Sequence, residues 1–193
     1  MTKLILDNSG LAQNRTFTFP DVKDYKKINK TRRSRGYNFE YSIVNAFNDH
    51  HSKQWHARRL GGSSTGLPDV VATNKAKSLL YAIEAKSGES DILYIPRDQI
   101  ERCIDITDKF LTAYKYRYVV FAFKFKGKKG GRKLQYRFLL MSDHLGGIPD
   151  HLKGVSYNIK TETLNTHESY EDYPICLPTF GKTLSIMEFV NLI

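Results

Sequence analysis

The sequence predicts an α/β domain with a central mixed β-sheet flanked by helices. Three observations lead there. Runs with strand and helix periods alternate from residue 37 to 142. The run 116-YRYVVFAFKF-125 reads as a buried strand. Apolar residues make up 40% of the chain and charged residues 26%, with 11 Phe and 12 Tyr, the composition of a protein that builds a real core. A length of 193 residues suits one such domain with extensions.

Residues 1–30 show neither period and run into KKINKTRRSR, where Lys26, Lys27, Lys30, Arg32, Arg33 and Arg35 crowd together. They are expected to form a basic, mobile arm ahead of a single domain over 31–193. In 37-YNFEYSIVNAFNDH-50 the residues Phe39, Ile43, Val44, Ala46 and Phe47 follow a helical period, and Glu40 lies on the same stripe. A carboxylate there is costly unless a cation meets it. QWHARRL (54–60) reads as a strand, GGSSTG (61–66) as a loop, LPDVVAT (67–73) as a strand and LLYAIEAKS (79–87) as another, with a turn around Asn74–Ser78. The run 96-PRDQIERCIDITDKF-110 is expected to be a helix opened by Pro96, with Ile100, Cys103, Ile104 and Thr107 inward. After strand 116–125, KGKKGGRK (126–133) is expected to be a basic hairpin loop and LQYRFLLMS (134–142) the returning strand. The polar stretch 160–174 reads as loop within a C-terminal extension, and LPTFGKTLSIMEFVNLI as a turn and a short final helix.

The formal charge is +10, and residues 161–193 hold five acidic residues against one basic, which leaves +14 on residues 1–160. Such a field attracts polyanions, and nucleic acid is favoured over a membrane because no apolar run is long enough to span a bilayer. The start MTKLILDNSG lacks a secretory pattern, so a cytoplasmic, nucleoid-associated protein is expected. Cys103 and Cys176 lack the spacing of a zinc site and are expected to be reduced thiols. Trp55 is expected in the core, and the six histidines show no metal-ligand spacing.

Charges inside the strands carry the chemistry. Alternation turns Glu84 and Lys86 to one face of their strand, and a hairpin around Asn74–Ser78 brings Asp69 within a residue or two of Glu84. Two carboxylates beside one ammonium repel unless a cation lies between them, and oxygen donors of this kind suit Mg²⁺ or Mn²⁺. Such a site suits phosphodiester hydrolysis, with Lys86 orienting or deprotonating water or offsetting charge on phosphorus. Glu40 is the natural third carboxylate.

Pro68-Asp69, fourteen residues, then Glu84-Ala85-Lys86 is the signature of the PD-(D/E)xK nucleases, and the strand, turn, strand context agrees with it. The blocks SRGYNFEYSIVNAF, ARRLGGSSTGLPDVVA, AIEAKSG and LYIPRDQIERCIDI further resemble the archaeal Holliday junction resolvases of that superfamily, in order and in rough spacing.

The resemblance implies a restriction-endonuclease-like core and a homodimer that nicks opposed strands of a four-way DNA junction with Mg²⁺. It implies Glu40, Asp69, Glu84 and Lys86 as the catalytic set, joined by a loop serine, Ser63 in preference to Ser64. The metal would be held by Asp69, Glu84 and the backbone carbonyl of Ala85, with Glu40 acting through water. The charge map adds Arg35, Arg58, Arg59, Arg97, Lys128 and Lys129 as DNA contacts. Two other functions fit the same residues: a repair or restriction-type nuclease for other DNA substrates, and a structure-selective DNA-binding protein that does not cut.

Overall fold

The computed structural model describes residues 5–6, 12–13, 36–49, 54–61, 65–127, 131, 133–141 and 152–168. The chain divides into two units, Met1–Ser34 and Arg35–Ile193. The described part of the first is a short antiparallel ladder of β1 (Ile5–Leu6) and β2 (Ala12–Gln13).

In the second unit, helix α1 spans residues 36–49. A five-stranded sheet follows, made of β3 (Trp55–Arg59), β4 (Val70–Asn74), β5 (Leu79–Gly88), β7 (Tyr116–Phe125) and β8 (Gln135–Met141), in that spatial order. Neighbours are antiparallel except β5 and β7, which are parallel and paired along their whole length. The sheet is therefore mixed, as the sequence predicts.

The parallel pair needs a crossover. It consists of β6 (Ile92–Pro96), helix α2 (Arg97–Asp105) and a π-helical turn, Ile106–Phe110. The inward side of this crossover is Ile100, Cys103, Ile106 and Thr107, while Ile104 is only half-buried. The switch from α to π geometry moves the inward position from Ile104 to Ile106.

Strand alternation assigns each half of the core. Leu79, Tyr81 and Ile83 of β5 join Val70 and Ala72 of β4 against Phe39, Ile43, Val44 and Phe47 of α1. Leu80 and Ala82 of β5 and Val71 of β4 face the other way, towards Ile100 and Cys103 of α2. Trp55 is core as expected, stacked on Tyr81 with centroids 5.4 Å apart.

One expectation fails. Part of the stretch read as polar loop is a strand, β10 (Thr163–Glu168), which pairs with β9 (Leu152–Asn158), itself paired with β6 in a second, three-stranded sheet. The reason is chemical. Inward positions here include Ser156 and Thr166, both buried, so the apolar alternation that marks a strand is interrupted. Residues 169–193 lie outside the described residues, as does the predicted final helix.

Candidate nuclease site

The register of β4 on β5 pairs Val70 with Ile83, so the next step outward sets Asp69 opposite Glu84. By the alternation that points Val71 and Ala82 towards α2, Asp69, Glu84 and Lys86 share that face. β4 begins at Val70, whereas β5 continues to Gly88. Among the described residues the far half of β5 consequently has β7 on one side and an open edge on the other.

Asp69 stands at the start of that edge. Its Oδ2 accepts the backbone N–H of Ala85 at 2.9 Å, where a longer β4 would have supplied a carbonyl. The N–H and C=O of a strand residue point to the same side, so the Ala85 carbonyl faces this edge too. The backbone carbonyl of Asp69 accepts the N–H groups of Leu60 and Gly61 at 3.0 and 3.4 Å, which extends the β3–β4 ladder and fixes the aspartate from behind. Gly61 is required for this approach. A Cβ there would stand 2.7 Å from the Pro68 carbonyl oxygen.

Glu84 is 1% exposed. Its Oε1 accepts from Lys86 Nζ at 2.8 Å, and among the described residues its Oε2 is buried without a hydrogen-bond partner. Burial pushes its pKa up to about 7; Lys86 opposes the shift and Asp69 adds to it. Lys86 is 24% exposed in its side chain and so reaches the solvent side of the cleft.

Glu40 approaches from α1 and is buried, as its position on the inward stripe predicts. Its cation is Arg59, whose Nε donates to Glu40 Oε2. The guanidinium also lies 4.2 Å from the centre of the Tyr37 ring and 6.0 Å from that of Tyr41. The Glu40 pKa is nevertheless raised, first by burial and then by the negative charge of Asp69, against the pull of Arg59 and Lys86. Asp69 and Lys86 thus act electrostatically on both Glu40 and Glu84. Among the described residues no three His, Cys, Asp or Glu side chains form a closed metal-ligand cluster.

The remaining predicted contacts separate. Arg58 is exposed on β3. Arg59 is engaged with Glu40, and Arg97 with Glu101 at 2.6 Å and with the carbonyl of Leu152 at 3.1 Å. Ser63, Arg35, Lys128 and Lys129 lie outside the described residues.

The sequence reading misses Arg102. It donates to the carbonyl of Leu67 at 3.4 Å, just ahead of Asp69, and its charge lowers the pKa of Glu84. No sequence signal marks it, because an arginine in a polar helix resembles any solvated one. The tie between Arg59 and Glu40 was partly visible, since the buried carboxylate demanded a cation.

Cys103 is a fully buried free thiol. Its pKa is raised by that burial and further by the charges of Glu84 and Asp69. Among the described residues no helix is long and apolar enough to cross a membrane.

No individual curated protein matches the chain. Among solved structures it is similar to the Holliday junction resolvase of the archaeal hyperthermophile Archaeoglobus fulgidus, at 19% identity over 80% of this chain and 98% of that one, with a TM-score of 0.45. The model of one family, the archaeal Holliday junction resolvases, matches residues 31–168, which include Glu40, Asp69, Glu84 and Lys86. On that match, the chain belongs to the archaeal Holliday junction resolvase family.

Proposed function

We propose that this protein is a divalent-metal-dependent endonuclease that resolves four-way DNA junctions by paired nicks in opposed strands, acting as a homodimer. The observation that carries the reading is the open end of β5. There Asp69 stands opposite Glu84, Lys86 is paired to Glu84, and Glu84 Oε2 is buried without a partner among the described residues. An orphaned buried carboxylate oxygen is costly unless something cationic meets it.

The donor set fits a hard cation. Glu84 Oε2, Asp69 and the Ala85 carbonyl are all oxygen donors, suited to Mg²⁺ or Mn²⁺, and Glu40 is placed to act through water. When bound, such an ion neutralises charge on the scissile phosphate and acidifies the attacking water. Lys86, anchored by Glu84 and open to solvent, donates to that water or to the phosphoryl oxygens as charge builds there. Hydrolysis forms one O–P bond, breaks the ester bond opposite, and returns a proton to the leaving oxygen. Arg59 opposes the rise that burial imposes on the Glu40 pKa.

The +14 on residues 1–160 draws DNA to this protein, with Arg58, Arg35, Lys128 and Lys129 as phosphate contacts. Ser63 is the serine offered by the loop ahead of Asp69, and Arg97 and Arg59 add to the field. Two nicks in opposed strands require two sites, hence a dimer.

A synthetic four-way junction, with duplex and flap controls, tests the reading. Symmetric paired nicks that need Mg²⁺ are expected, with Lys86→Ala binding the junction without cutting it. Strong cutting of plain duplex with junctions left intact would replace this reading with the repair or restriction-type one. Junction binding with neither metal uptake nor cutting would leave a non-cleaving binder.

A further inference from the structure

We propose that Tyr41 is a stacking site for an unstacked nucleobase at the branch point of the DNA, set beside the catalytic carboxylate Glu40. The inference rests on the junction-nuclease reading and assigns a source for its choice of DNA structure.

α1 uses one face for packing: Phe39, Ile43, Val44 and Phe47 are buried against the sheet. Tyr37 and Tyr41, four residues apart and therefore neighbours on the helix surface, are 41% and 52% exposed. Two large aromatic rings left in water beside a buried Glu40 contribute little to the core. They lie on the solvent side of α1 around Arg59, the partner of Glu40.

The two rings differ in what they offer. Tyr37 has the Arg59 guanidinium at 4.2 Å, a full cation–π contact. Tyr41 is 6.0 Å from the same group, at the limit of that interaction, and no other polar or ring contact engages it among the described residues. Its ring is available. Arg59, bound to Glu40, ties the Tyr37 ring to that carboxylate and leaves the Tyr41 ring beside it uncovered.

The platform is also rigid. The Asn48 side chain accepts from the Ala57 N–H at 2.8 Å and donates to the Ala57 carbonyl at 3.0 Å, which locks the end of α1 to β3. A ring on such a helix loses little freedom when a flat partner covers it.

That partner is best a nucleobase. Inside a duplex every base face is covered by its neighbours, so an exposed ring gains nothing from duplex DNA. At a branch point the stack is interrupted and a base face becomes available. Stacking is indifferent to base identity because every base has a π-face. A cationic chain with an aromatic ring beside its catalytic residues thereby reads branching through Tyr41 and phosphate through its lysines and arginines.

The test uses the full chain with a fluorescent four-way junction and one of its duplex arms, without divalent metal. Tyr41→Ala is expected to weaken junction binding roughly 5- to 150-fold, the range for losing one base–aromatic stack, while duplex binding is unchanged and Tyr41→Phe retains wild-type values. 5-Iododeoxyuridine placed at the branch point should photocrosslink to Tyr41. Equal losses on junction and duplex, no loss on either, or crosslinks only elsewhere would overturn the proposal. A wild type that does not prefer junction to duplex removes the functional reading and this inference together, and the wild-type measurement shows that before any variant is made.

Discussion

Asp69 and Ala85 are joined by a single hydrogen bond, from the Ala85 N–H to Asp69 Oδ2 at 2.9 Å, at the point where β4 stops and β5 runs on. The carboxylate completes a ladder and supplies a charge at once. Asp69→Asn separates the two roles, because the amide keeps an acceptor for Ala85 and loses the charge. The variant should melt within about 1 kcal/mol of wild type while cleavage falls on the order of a hundredfold or more. Thermal melts beside single-turnover junction cleavage check both halves.

Glu84 gives a pH dependence. Its pKa in the fold, about 7, lies above its ordinary 4.5. Between those values the fold holds a proton that the unfolded chain has released. For the metal-free protein this contribution is therefore most favourable below about pH 4.5, falls as pH rises through the window and levels off above about 7, a change of up to roughly 3 kcal/mol. Denaturant melts at a series of pH values should show the slope in wild type and a flatter curve in Glu84→Gln.

The same proton competes with a divalent cation. Apparent Mg²⁺ or Mn²⁺ affinity should rise with pH through about 7, and titration calorimetry in buffers of different ionisation heat should detect proton release on binding. Affinity that is flat across that range would place the cation away from Glu84.

Lys86 is the ammonium that meets Glu84. Its replacement by Ala leaves a buried carboxylate without that cation, so stability should drop by roughly 1–3 kcal/mol at pH 8 and by less at pH 5, where Glu84 takes a proton. A Lys86→Ala, Glu84→Gln double variant should regain much of the loss.

Gly61→Ala tests the support behind Asp69. The added methyl meets the Pro68 carbonyl at 2.7 Å, and because both partners are backbone, the strand ends must part. A destabilisation of roughly 1–3 kcal/mol is expected, together with a loss of cleavage larger than any loss of DNA affinity.

The hairpin was legible because its signals are local. Alternation and the Asn74–Ser78 turn fix which face Glu84 and Lys86 take, and the observed register sets Asp69 opposite Glu84. Glu40 was legible because a carboxylate on an apolar helical stripe is unexpected. The second sheet was not, since Ser156 and Thr166 fill inward positions with polar groups and β6 lies far in sequence from its partner β9. Arg102 and the engagement of Arg97 were illegible for another reason: a charge shows its sign in sequence but not its partner.

The open edge of β5 also bears on solubility. A half-strand that no strand among the described residues covers on one side is a template on which another chain can add, and natural proteins guard such edges with charge or by capping the exposed groups. Asp69 occupies the Ala85 N–H, and Lys86 with Glu84 places charges along the same few residues. The side chains proposed to cut DNA therefore also cap and charge this half-strand, so variants that remove Asp69 altogether are expected to aggregate more readily than those that keep an acceptor there.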